Sequence, residues 1–244
     1  MRYLILADIH GNLAALEATL ADAPSGLPVW SLGDVVGYGP NPNECIERLQ
    51  SLDHECIVGN HDRAVMKKVD RQEFNADAQF SIQWTQEQLT CKSVEYLEDL
   101  PVSLVNGQFT LVHGSPREPI WEYILYPSTA RLNFAHFGTP YCFVGHTHVP
   151  GMFRFQGQGD ERTCEAEQLL EGGPQPLGEG RLIINPGSVG QPRDGDARAS
   201  YAILDVDGLT LEYHRVAYNV EKTQRLMEEA KLPQRNIMRL SYGW

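Results

Sequence analysis

The chain has 244 residues, 42% of them hydrophobic and 21% charged, which is ordinary globular composition and not that of a disordered segment. Lys and Arg number 20 against 32 Asp and Glu, for a net charge of −12. That balance disfavours non-specific nucleic-acid binding and anionic membranes, and a small polyanionic substrate would need a local cation to be held.

Arg2–Ala7 reads as a buried strand, a short apolar run that ends in a polar, Gly-containing turn. Asn12–Ala21 follows as a helix capped by Asn12, with Leu13, Leu16 and Leu20 at helical spacing and Pro24 beyond its end. Pro28–Leu32 and Glu55–Val58 are further strands, separated by a helical pattern at Asn43–Leu52. Strands alternating with helices through short loops imply right-handed crossovers and a partly parallel sheet. Ala76–Leu89 and Ser93–Leu100 are helical. Val102–Val105 and Phe109–His113 then flank Asn106-Gly107, a strong hairpin signal. A helix at Ser128–Phe137 and strands at Tyr141–Gly145, Met152–Gln156, Arg181–Asn185 and Ser200–Asp205 follow, and Asp207-Gly208 turns the chain into Leu209–Val216. Asn219 caps a last helix through Ala230, leaving a tail expected to pack loosely. Residues 157–180, rich in Gly, Pro and Glu, read as a surface loop or excursion within one domain spanning 1–244. Two sheets are needed, with helices on both outer faces: an α/β/β/α sandwich.

Polar residues sit immediately after these strands. Asp8 and His10 follow the first, Asp34 the second, and Asn60 and His61 the third, with equal intervals between Asp8, Asp34 and Asn60. His113 ends the second strand of the hairpin, and His146 and His148 follow the Tyr141–Gly145 strand. Any one of these alone reads as a turn residue or a satisfied core histidine. Together they bring candidate ligands to one sheet edge, where α/β folds place their sites. Carboxylate, imidazole and amide oxygen without thiolate suit two divalent ions among Mn, Fe, Zn, Co or Ni. Two such ions, about 3.5–4 Å apart, need a shared ligand and can hold a water between them as nucleophile. Five scattered cysteines form no C-x-x-C pair and read as reduced, mostly buried thiols, and no export or anchoring segment is visible. A cytoplasmic location is the expectation.

The blocks Asp8-Ile9-His10-Gly11-Asn12, Gly33-Asp34, Gly59-Asn60-His61-Asp62, His113-Gly114 and Gly145-His146-Thr147-His148 resemble those of the calcineurin-like metallophosphoesterases, in order and spacing. The resemblance implies the four-layer sandwich and a dinuclear centre. Asp8, His10 and His148 would hold one ion, Asp34 would bridge, and Asn60, His113 and His146 would complete the second. His61 would orient the phosphate and protonate the leaving oxygen, helped by Asp62.

Ser/Thr protein phosphatases of this family follow the bridging Asp with an arginine and the Asn-His pair with Glu. Here Val35-Val36-Gly37-Tyr38 follows Asp34, and Asp62-Arg63 follows His61. Asn185-Pro186-Gly187-Ser188-Val189-Gly190 with Arg193 is instead similar to the compact prokaryotic, phosphodiesterase-like branch. That favours phosphodiesters or small phosphorylated metabolites as substrates. Phosphomonoesters (including phosphoproteins) and dinucleoside polyphosphates are the alternative, and a non-catalytic interaction scaffold is a distant one. Arg193 is a candidate substrate ligand, its alternative being a surface pairing with Asp194 and Asp196. Tyr38 is a candidate to stack on a base or aryl leaving group, its alternative being to pack the turn.

Overall fold

In the structure, a computed structural model that describes residues 1–157 and 162–244, two six-stranded sheets lie face to face. The first contains β1 (Arg2–Leu6), β2 (Val29–Ser31), β3 (His54–Cys56), β9 (Gln175–Pro176), β11 (Ala199–Asp205) and β12 (Thr210–Val216), in the order β3-β2-β1-β11-β12-β9. Its first three strands are parallel, and β11 joins β1 antiparallel with Leu4 opposite Ile203. The second contains β4 (Ser103–Asn106), β5 (Phe109–Val112), β6 (Tyr141–Phe143), β7 (Gly151–Gln156), β8 (Thr163–Glu167) and β10 (Arg181–Asn185), in the order β4-β5-β6-β10-β7-β8.

Strand alternation assigns the layers, because successive side chains leave opposite faces. In β1, Ile5 points inward with Ala7 beyond it, meeting Phe109, Leu111, Phe143 and Ile184 of the second sheet across a shared apolar core. Leu4 and Leu6 point outward to α1 (Leu13–Asp22), α2 (Pro42–Gln50) and α4 (Ala76–Gln88), which bury Leu16, Ile46, Leu49 and Ile82 there. On the far side, Cys142 and Ile183 pack with Ala130 of α6 (Pro127–Asn133) and with Phe134. The result is the α/β/β/α sandwich with two mixed sheets. Among the described residues no helix is long and apolar enough to cross a membrane.

Four elements depart from the sequence reading. Asn60 and His61 open a short helix, α3 (Asn60–Val65), and are not residues of a turn. Six residues give too few turns for apolar periodicity to register. Within 157–180, residues 158–161 lie outside the described residues. The remainder is not only loop, since Thr163–Glu167 pairs antiparallel with β7 as an edge strand and Gln175–Pro176 pairs with β12. The sequence Thr-Cys-Glu-Ala-Glu carries the charge that edge strands use against further pairing, which conceals its strand character. The tail is not loose. After α5 (Cys91–Asp99) and α7 (Val220–Glu229), a final helix α8 (Gln234–Arg239) buries Ile237 and Leu240 with Leu232, Met227 and Trp84. Of the cysteines, Cys45, Cys56 and Cys142 are buried, whereas Cys91 is exposed and Cys164 only half-buried.

Candidate metal centre

The chain turns sharply as it leaves each strand, and the turn residue is repeatedly the chemical one. Asp8 (φ +53°), His10 (+50°), Asp34 (+52°), His146 (+67°) and His148 (+59°) all take the left-handed conformation. Asp and His tolerate it better than most side chains, yet each such residue costs about 1–3 kcal/mol, which the surrounding structure must hold. Two glycines make the space. A Cβ on Gly59 would collide with the Asp34 carboxylate, and one on Gly37 would lie 2.6 Å from His61 Nδ1.

These turns converge on one buried nest. Asp8, His10 and His148 offer ligand atoms within 4.8 Å of one another, as do Asp34, His113 and His146. His10, Asp34 and His61 form a third such group, so the first two sets meet around Asp34. Asp34 Oδ2 lies 3.6 Å from His10 Nε2 and 3.4 Å from His113 Nε2. Asn60 Oδ1 is 3.0 Å from His113 Nε2. Asp8 Oδ1 is 3.5 Å from His148 Nε2, and both Asp8 oxygens accept from the His146 backbone N–H, at 3.0 and 3.1 Å. The second sheet therefore aims the first sheet's carboxylate.

Carbonyl oxygens fix the histidine tautomers. Nδ1 of His10, His113 and His148 faces the carbonyls of Val36 (3.2 Å), Leu32 (2.8 Å) and Gln191 (2.6 Å), and His146 Nε2 faces that of Trp121 (3.1 Å). A carbonyl only accepts, so each of those nitrogens is the N–H donor. The other nitrogen of a neutral ring is left as a lone pair, the arrangement that metal-ligating histidines use. Burial holds His10 and His148 well below the usual histidine range, hence neutral, and it lowers His146 to about 3. Two lone pairs, His10 Nε2 and His148 Nε2, thus face each other at 3.0 Å, and buried Asp34 Oδ2 has no hydrogen-bond partner. Acceptors crowded around a buried carboxylate repel one another unless a cation lies among them. The residues present fit a pair of divalent ions.

The remaining charge states follow the same logic. Burial opposes ionisation of Asp34, but His113 and His61 beside it hold its carboxyl far below the usual range. His113, though buried, is pushed up by the charge and hydrogen bond of Asp34. Burial pushes Asp8 and Asp62 up, helped for both by the charge of Asp34.

His61 is buried with its Nδ1 unpartnered, and its backbone N–H donates to Asp34 Oδ1 at 2.9 Å. Burial lowers it to about 4 against the pull of Asp34. Asp62, expected to help His61, makes no direct hydrogen bond to the His61 ring. Its two oxygens accept from the backbone N–H groups of Val36 (3.1 Å) and Gly59 (3.0 Å), because the first turn of α3 points the side chain back toward those loops. It is a positioning residue. Tyr38, expected to stack on a leaving group, is buried at 6% exposure and packs against the rings of His61 (4.4 Å) and His10 (4.7 Å). The ring packs the turn and also stands in the wall of the cavity above the nest that Arg193 shares. The surface-pairing alternative for Arg193 does not hold, since Asp194 pairs with Arg215 and Asp196 with Arg198. Arg193 instead lines a cavity of about 230 Å³ over the nest, its Nη2 donating to Gln191 Oε1 at 2.9 Å. The Asn185–Gly190 turn braces the nest. Asn185 Nδ2 donates to the Gly145 carbonyl (2.7 Å) and Ser188 Oγ to that of Asp8 (2.8 Å).

Sequence reasoning missed the rest of that cavity's wall: Glu73, Phe74, Asn75, Trp121, Tyr123 and Arg239. The one available signal was the clustering of Trp121 and Tyr123 after Pro119 in an unpatterned segment.

The chain matches the model of the calcineurin-like phosphoesterase superfamily domain over residues 1–209. It is 37% identical over 238 residues to an uncharacterized protein, MJ0912, of Methanocaldococcus jannaschii, covering 94% of this chain and 93% of that one. Among solved structures, a metallophosphoesterase from Sphaerobacter thermophilus is similar at 47% identity and a TM-score of 0.89, with all of both chains covered. Hypothetical protein PH1004 from Pyrococcus horikoshii OT3 shares the fold at 23% identity and a TM-score of 0.76, covering 100% of this chain and 98% of that one.

Proposed function

Because the chain belongs to the calcineurin-like metallophosphoesterase superfamily, in its compact prokaryotic branch, we propose that it hydrolyses phosphodiesters or small phosphorylated metabolites at the centre around Asp34. The His/Asp clusters support metal-dependent phosphoesterase activity in general. The observation that carries the reading is the pair of neutral imidazole lone pairs at 3.0 Å beside the unpartnered Asp34 Oδ2. Asp8, His10 and His148 would hold one ion, Asn60, His113 and His146 the other, with Asp34 shared. Two ions bound there supply Lewis-acid stabilisation of the phosphoryl oxygens and activation of water.

The chain's own groups do the rest. The second nitrogens of the four ligand histidines, tied to carbonyls, keep the rings from rotating. His61, neutral in its buried setting, gains a proton when an anionic phosphate raises its affinity for one. It then passes that proton to the leaving oxygen as water adds to phosphorus and the phosphorus–oxygen ester bond breaks. Arg193 binds phosphate oxygen from the cavity wall through its planar fork. A panel of phosphomonoester, phosphodiester, pyrophosphate and dinucleotide substrates, run under several added metals, tests the reading. Turnover of at least one ester that stops on chelation supports it. Background rates throughout with two ions bound would leave a scaffold.

A further inference from the structure

Two guanidinium groups converge on one neutral oxygen above the nest. Gln191 Oε1 accepts from Arg193 Nη2 at 2.9 Å and from Arg239 Nη1 at 3.3 Å, and both arginines line the same cavity. In a chain of net charge −12, neither pairs with an Asp or Glu side chain among the described residues. The acids beside Arg193 in sequence are taken by Arg215 and Arg198. The buried Nε of Arg193 has no acceptor at all. Of the carboxylates lining the cavity, Asp34 belongs to the nest and Glu73 is exposed. Like charges brought together around a single amide dipole repel, and an anion between or beside them relieves that repulsion.

The two arginines differ in depth. Arg193 is tied to the centre, its backbone N–H donating to the His148 carbonyl at 3.2 Å and its Nη2 reaching Tyr38 Oη at 3.5 Å. Arg239 enters from α8, its Nε donating to the main-chain oxygen of Trp244, the last residue, at 2.6 Å. We propose that Arg239, with Arg193, forms a subsite for a second phosphate beside the scissile one, so that the preferred substrates are esters or anhydrides with at least two linked phosphate groups. Helix α8 thereby contributes a specificity-determining residue to a centre built otherwise from strand ends and the start of α3. This rests on the hydrolase reading above.

The test uses the metal-loaded full chain and two non-hydrolysable probes, methylphosphonate and methylenediphosphonate, with affinities measured by calorimetry. The wild type should prefer the diphosphonate, and Arg239→Ala should lower that preference about tenfold, the scale of a charge-assisted contact. Arg239→Lys should recover part of it, because an ammonium keeps the charge but not the fork. Deleting Trp244 removes the tether and keeps the guanidinium, so the preference should survive. An unchanged preference in both Arg239 variants, or an equal loss on deleting Trp244, overturns the subsite. An Arg239-dependent preference in a protein that hydrolyses no ester keeps the subsite and removes the hydrolase reading. Hydrolysis without the preference does the reverse.

Discussion

The nest and the mouth of the cavity are held in different ways. The nest takes its groups from strand ends of both sheets and from the start of α3, all buried, and backbone atoms hold them: carbonyls on four histidines and the His146 N–H on Asp8. The mouth takes Phe74, Trp121, Tyr123 and Arg239 from connecting segments and a terminal helix. Side-chain packing joins them, Phe74 edge-on to Trp121 at 4.9 Å and Tyr123 stacked on His146 at 4.2 Å, with Tyr123 47% exposed. The nest is thus tied to the topology of the sandwich, whereas the mouth is built from segments that can vary without disturbing it.

The largest effect should follow a cut at the middle of the nest. Asp34→Asn removes a charge both ion sites share, so metal content should fall further than in Asp8→Asn, and turnover by more than about 100-fold, the upper cost of losing even an outer partner. Equal metal content and rate in the two variants, read by elemental analysis and initial rates, would remove Asp34 from the centre. His61→Ala should leave metal in place while turnover drops by about 10²–10⁴, the range for a lost general acid. A nitrophenolate leaving group, which needs no proton, should conceal part of that loss. Loss of metal instead would make His61 a ligand.

The same division explains what the sequence disclosed. Asp8, Asp34, Asn60, His113, His146 and His148 each stand just after an apolar run, so the pattern that predicts the strands also locates the site. Their shared edge then follows from the parallel order of β1, β2 and β3. The resemblance implies that Asp62 helps His61, but which atoms its carboxylate meets is set by the first turn of α3, which sends it to the backbone N–H groups of Val36 and Gly59. Phe74, Trp121 and Arg239 carry no period and no neighbouring motif. Only the tertiary packing of α8 against α7 and Trp84 brings Arg239 back over the nest.

Removing metal should expose the nest's burial as acid lability. His10, His61, His146 and His148 are all lowered by burial, so the unfolded chain binds more protons than the folded one below about 6.5. Their contribution to stability is present above that pH and is lost as pH falls toward 4. Asp8 and Asp62, raised by burial, oppose this, but four histidines outweigh two carboxylates. The Tm of chelated protein should therefore decline between pH 6.5 and 4, and a flat or rising Tm would contradict the neutral-histidine assignment. At the mouth, Arg193→Ala should be the mildest change: a higher KM, unchanged metal content and little shift in Tm, with Arg193→Lys recovering part of the loss. Kinetics identical to wild type across mono- and diester substrates would take Arg193 out of substrate binding.

The central claim is that the converging lone pairs and carboxylates exist to hold two ions. Metal content per chain, measured by elemental analysis as chelated protein is titrated with Mn or Zn while ester hydrolysis is followed in the same samples, tests it most directly. Two ions per chain, with activity rising as the second site fills, is the expected result. Full activity at a stoichiometry well below two would contradict the dinuclear centre.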